Sequence, residues 1–117
     1  GSMAGFDLLA AEQVISLKKQ FPNIQLISVA PYSVHFFSRE KCWTPEWIHR
    51  AREVFQQHDF GISLSEYYRL GIYYERNRVL VDHSSELICY HDGGKGGTEN
   101  TVQYARSRMH NIHNLCP

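Results

Sequence analysis

Along the whole chain, short runs of β-branched and apolar residues alternate with stretches of helical periodicity, and this alternation limits the fold more than any other feature. Strands separated by helices cannot pair as hairpins. They need crossover connections, so the sheet they form is mostly parallel. Ile24 to Val29 reads as a strand ending before Pro31, Phe60 to Leu64 as a short second one, Glu86 to Tyr90 as a buried third and Asn111 to Leu115 as a closing fourth. Between them the spacing predicts helices. Ala10, Val14, Leu17 and Phe21 mark a stripe on a helix from Asp7 to Gln20, stopped by Pro22. Thr44-Pro45 supplies a capping hydroxyl and a first-turn proline for a helix reaching about His58. Ile72, Arg76, Val79, Leu80 and His83 share a face from about Gly71 to His83, and Thr98 to Arg108 forms the last helix. Tyr32 to Trp43 is too irregular to assign. The expected fold class is α/β: a Rossmann-like, doubly wound, mostly parallel sheet with helices on both faces.

At 117 residues the chain suits one domain, residues 3–117, with Gly1 and Ser2 read as a tag remnant. A chain of this size buries about two-thirds of its unfolded surface, enough for a core without metal or disulfides. Twelve Lys and Arg balance twelve Asp and Glu. That balance weighs against capture of nucleic acid or an anionic membrane, and no apolar run is long enough to span a bilayer. Three widely spaced cysteines, an odd number, point to a reducing, cytoplasmic setting rather than a disulfide scaffold.

The segment Asp92-Gly93-Gly94-Lys95-Gly96-Gly97-Thr98, between a strand and a helix, carries the most chemistry. Glycines there allow positive φ and let a phosphate approach without meeting a Cβ. The helix that follows adds unsatisfied N–H donors and the positive end of its dipole. Thr98 and Thr101 offer hydroxyls and Lys95 a charge. No Lys-Ser or Lys-Thr follows the glycines, which speaks against a Walker-type ATPase. On the preceding helix, Arg76 and Arg78 stand at i, i+2 and cannot share a face. Arg76 lies on the apolar stripe, where a guanidinium needs a carboxylate or phosphate partner.

Three motifs in order carry a family resemblance. Gly5-Phe6-Asp7-Leu8-Leu9-Ala10-Ala11-Glu12 is similar to the Gly-x-Asp-x-x-Ala-Ala-Glu helix start of YpsA-like proteins in the SLOG superfamily. Arg76-Asn77-Arg78-Val79-Leu80-Val81-Asp82-His83-Ser84 resembles their Arg-Asn-x-x-Met-Val-Asp-x-Ser-Asp stretch. Tyr90-His91-Asp92-Gly93, Gly96-Gly97-Thr98 and Thr101 to Ala105 resemble their Tyr-Asp-Gly, Gly-Gly-Thr and Thr…Tyr-Ala ending. The superfamily comprises Rossmann-like nucleotide-ligand domains, the Lonely Guy hydrolases and the DNA-processing protein DprA among them. The resemblance implies a nucleotide-type ligand over Gly93, Gly94, Gly96, Gly97, Thr98 and Thr101, with Arg76, Asp92, Gly5 and Asp7 as its neighbours. It also implies an earlier strand, helix and strand that this sequence lacks. An exposed sheet edge, covered in a homo-oligomer, is the corresponding expectation.

A Lonely Guy-type phosphoribohydrolase, cleaving nucleoside 5′-monophosphates, is the alternative. Its Glu-Arg-Lys pattern is matched by Glu75-Arg76, but the position of its catalytic Glu falls on Thr101. A threonine cannot stabilise an oxocarbenium ion or handle the proton. The sequence therefore reads as a binding module without a named catalytic residue or cofactor, with Glu99 as a substitute carboxylate to weigh. DprA-like binding of single-stranded DNA is the third reading. Among seven histidines, His110, His113 and Cys116 have ligand-like spacing, yet a strand would turn them to different faces, so no metal site is expected. His91 and Asp92 are better placed to touch a ligand. Trp43, Trp47, Tyr67, Tyr68, Tyr73 and Tyr74 are read mainly as packing, with Tyr67 and Tyr68 the first place to seek base stacking. Cys89 reads as inert core.

Overall fold

The computed structural model describes residues 1–109 and 111–117. These divide into two compact units, Gly1–Tyr68 and Arg69–Pro117. The first holds α1 (Phe6–Leu17), β1 (Ile27–Tyr32), α2 (Phe36–Arg39), α3 (Pro45–Gln57) and β2 (Phe60–Ser65). The second holds α4 (Ile72–Asp82), β3 (Leu87–Cys89), α5 (Gly97–Arg106) and β4 (Ile112–Asn114). β1 pairs with β2, and β3 with β4, both in parallel. The protein is thus α/β with parallel strands, each pair joined through a helix as the alternation requires.

In the first unit the β1–β2 register starts at Ile27↔Phe60 and passes over Pro31, which has no N–H to contribute. The strand lies three residues later than the apolar run suggested. Asp59 sets its start: one carboxylate oxygen accepts the Leu26 N–H at 2.7 Å, while the Asp59 and Phe60 N–H groups donate to the Leu26 carbonyl. The other oxygen takes the Lys18 ammonium at 2.6 Å, tying the end of α1 to the same point. α1 itself ends at Leu17, where Lys19 and Gln20 make tighter i→i−3 bonds to Ser16 and Leu17. Its buried residues are Leu8 and Ala11, not the stripe from Ala10 to Phe21. α1 is apolar nearly all round, so spacing alone could not choose its face.

α3 begins as its sequence demands, with the Thr44 hydroxyl accepting the Trp47 N–H and Pro45 in the first turn. The unassigned stretch before it forms an aromatic cluster. The Phe36 ring meets Tyr32 at 5.5 Å and Trp43 at 5.4 Å, and Phe37 meets Trp43 at 4.8 Å. These edge-to-face contacts replace regular backbone pairing as the source of order there.

In the second unit Val81, Ala105 and Met109 form a small core, flanked by Leu87, Tyr104 and Ile112. On α4 the buried positions are Ile72, Arg76 and Val81, while His83 caps the helix and is exposed. Cys89 is buried as expected, and burial raises its thiol pKa. No helix among the described residues is long and apolar enough to cross a membrane.

The Lys18 ammonium first, and the Leu26 N–H second, hold the Asp59 carboxyl below its ordinary pKa. A carboxyl whose native pKa is depressed stabilises the fold at neutral pH, and that contribution fades as pH falls through the native value. Asp59→Asn is therefore expected to lower the urea midpoint at pH 7. The gap to wild type should close as the pH is taken below about 4, the ordinary Asp range. A gap that stays constant with pH would show that the carboxylate is not the group responsible.

Candidate functional site

The glycine segment is anchored on both banks. At the end of β3, the Leu115 N–H donates to the Cys89 carbonyl at 2.8 Å. Two residues beyond Cys89, the Asn114 side chain grips the His91 backbone. Its Oδ1 accepts the His91 N–H at 2.9 Å and its Nδ2 donates to the His91 carbonyl at 2.8 Å. The amide side chain thereby extends the ladder past the end of β4. The mostly buried His91 ring reaches across to the Glu99 carboxylate in the first turn of α5. Gln103 donates to the same carboxylate at 2.6 Å. The Gln103 amide, and after it the His91 ring, hold the Glu99 carboxyl below its usual pKa against the opposing effect of burial.

Between these anchors, the residues Gly93 to Thr98 are all exposed. Gly93 has φ 91° and Gly96 has φ 146°, conformations that side chains resist. Asp92 Oδ1 accepts the Gly94 N–H at 2.8 Å, a local turn that shapes the loop. α5 opens on Gly96 and Gly97 with no side-chain cap, so its first amides face outward with the positive end of the helix dipole. The Thr101 hydroxyl donates back to the Gly97 carbonyl at 2.9 Å.

The two arginines of α4 separate as their spacing requires. Arg76 is buried, and its Nε donates to Asn77 Oδ1 at 2.9 Å. Arg78 is exposed and helps to line a cavity of about 310 Å³ between α4 and α5. The other walls are Tyr74, Asn77, Asn100, Thr101 and Tyr104. Tyr104 is the best-held of these: its hydroxyl donates to the Asp82 carboxylate at 2.9 Å, and the Arg108 guanidinium lies 3.9 Å from its ring centre. Burial, and then the Asp82 contact, raise the Tyr104 phenol pKa.

Of the residues nominated from sequence, Gly93, Gly94, Gly96, Gly97 and Thr98 form the exposed loop, and Asp92 closes its turn. Thr101 is the one nominated residue in the cavity wall. Gly5 and Asp7 belong to the first unit. Gly5 caps α1 with φ 96°, and Asp7 Oδ2 accepts the Met3 N–H at 3.1 Å. Tyr68 packs edge-on to Tyr32 under the Arg39 guanidinium, whereas Tyr67 is exposed. Among the described residues, no three potential ligands gather for a metal; His110 lies outside them.

Sequence reasoning did not nominate Asn77, Arg78, Asn100 and Tyr104. The signal lay in polar and aromatic residues at i, i+3 and i+4 on two successive helices, Tyr74 with Asn77 and Arg78, and Asn100 with Tyr104. Asn114 left no such trace, because its role depends on the β3–β4 register.

Parallel strands joined through helices, with an exposed glycine loop between β3 and α5, define the class: an α/β domain. The chain belongs to the family described as the YspA SLOG family, whose model matches residues 1–115. It is similar to the SPbeta prophage-derived protein YoqJ of Bacillus subtilis, 27% identical over all of this chain and 74% of that protein. A UPF0398 protein of Staphylococcus epidermidis is 30% identical over 75% of this chain and 46% of its own length. Another, from Halalkalibacterium halodurans, is 29% identical over 90% of this chain and 55% of its own. The chain thus spans about three-quarters of YoqJ and about half of the two UPF0398 proteins.

Asn114→Ala removes both bonds to His91 and is expected to cost about 1–2 kcal/mol, near the net worth of two partly exposed hydrogen bonds. Hydrogen exchange should quicken at His91 and through residues 93–97, while β1 and β2 keep their protection. Unchanged exchange at His91 would rule out the Asn114 side chain as the anchor.

Proposed function

We propose that this chain is a domain for binding a nucleotide or a nucleotide-derived ligand, whose phosphate rests on the Gly93–Thr98 loop. The observation that carries this reading is the start of α5. The helix opens on two glycines, exposed and without a side-chain cap, immediately after a strand end. Backbone amides and dipole together favour an anion at such a place. Thr98 adds a hydroxyl and Lys95 a charge. In this reading Arg76 and Asp92 are ligand neighbours, and membership of a SLOG family agrees with a nucleotide-type ligand.

Binding is favoured over hydrolysis by the disposition of carboxylates. None of the six residues lining the α4–α5 cavity is acidic. Thr101 occupies the position where the hydrolase pattern has its Glu, and Glu99 is engaged by His91 and Gln103. Glycosidic cleavage needs a carboxylate beside the departing base.

Gly97→Asp tests the loop directly. A Cβ at Gly97 meets nothing within 4 Å, and an acidic residue in the first helical turn suits the dipole. The variant should fold with an unchanged or raised melting temperature. The wild type is expected to gain stability from nucleoside 5′-monophosphates, by about 2.7 kcal/mol at one hundred times Kd. The variant should bind them at least tenfold more weakly. Equal binding by both proteins would refute the loop as the phosphate site.

A further inference from the structure

The α4–α5 cavity offers hydrogen-bond donors in excess of acceptors, and this follows from what its walls are already bonded to. Arg76 is buried and its guanidinium can only donate, so Asn77 must turn Oδ1 toward it, at 2.9 Å. That contact leaves the Asn77 NH₂ group as the end available to the cavity. Arg78, the next residue, is a donor with no acceptor capacity. Thr101 has given its hydrogen to the Gly97 carbonyl, so its oxygen is left to accept. The Tyr104 hydroxyl hydrogen is committed to Asp82, outside the lining. Tyr74, exposed, presents a ring, and Asn100 adds one further amide. No carboxylate lines the cavity to receive an amino group.

At about 310 Å³ the space is of the size of small-ligand pockets. It begins one helical turn beyond the loop on α5, since Thr101 and Gly97 are joined i to i+4. The geometry points to this cavity as the site of the base of the ligand, selecting heterocycles with an exocyclic carbonyl over those with an exocyclic amine. The inference rests on the reading of Gly93–Thr98 as the phosphate site. A carbonyl set against Asn77 Nδ2 and the Arg78 guanidinium finds donors. A ring N–H beside it can donate to Thr101 Oγ1. An amino group in the carbonyl's place would set donor against donor at Asn77 Nδ2 and Arg78 and forfeit those hydrogen bonds.

Two near-isosteric pairs test that pattern, UMP with CMP and IMP with AMP, each exchanging a carbonyl and its neighbouring ring N–H for an amine and a bare ring nitrogen. Titration calorimetry of the full chain is expected to show the carbonyl member bound at least tenfold more tightly in each pair. Asn77→Asp keeps an oxygen for Arg76 but replaces the NH₂ donor by an acceptor, and should abolish or reverse both ratios. Arg78→Met, at an exposed position, should weaken UMP and IMP at least fivefold without moving the melting temperature. Equal affinities within each pair, or ratios indifferent to Asn77→Asp, would overturn the assignment. Ribose 5-phosphate separates the two readings: if it binds as tightly as every nucleotide, the loop stands and the cavity falls. If no phosphate compound binds, the loop reading fails, and free uridine and cytidine then decide. Uridine preferred would uphold the cavity's selectivity, and neither bound would end it.

Discussion

Parallel pairing is the constraint on which the rest depends. Two parallel strands cannot be joined by a tight turn, so each pair in this protein is joined through helix, α2 and α3 between β1 and β2 and α5 between β3 and β4. Between β3 and β4 the crossover runs from the strand end at Cys89 straight to the start of α5 at Gly97. Outward-facing amides at that junction follow from backbone geometry before any side chain is chosen. What sequence adds is the choice between sealing the junction and leaving it open. Before α3 the Thr44 hydroxyl seals it. Before α5 two glycines leave it open.

The supports of the open junction are polar and come from three elements. Asn114 follows from the β4 register, His91 from the end of β3 and Glu99 from the first turn of α5, and together they brace the segment from beneath. A loop of glycines has high conformational freedom. Fixing its ends by hydrogen bonds limits that freedom to the residues between, where Gly93 and Gly96 take positive φ. The hydrophobic part of this unit is small, centred on Val81, Ala105 and Met109, so these polar ties carry a large share of the local order.

How much of this could be read in advance varied with how local the cause was. The α/β class, the start of α3 and the glycine loop before α5 each depend on neighbouring residues, and their signals were legible: Thr44-Pro45 for the helix, positive φ at Gly93 and Gly96 for the loop. β1 shifted because a residue thirty-three positions away, Asp59, holds Leu26. The buried face of α1 eluded periodicity because apolar residues surround that helix. The cavity residues Asn77, Arg78, Asn100 and Tyr104 emerge only when α4 and α5 lie together, and the separation of Arg76 from Arg78 was visible while their environments were not.

Asp92 gives the loop one more property. Its carboxylate already occupies the Gly94 amide at 2.8 Å, so the resting loop holds an internal mimic of an anion. In the proposed binding mode, a phosphate would compete with that tethered group for the same donor and meet its charge nearby. The Asp92–Gly94 contact keeps the loop in shape, and in the proposed binding mode it gives the loop a replacement for a ligand that leaves. On that reading the loop suits a ligand that comes and goes better than one held permanently.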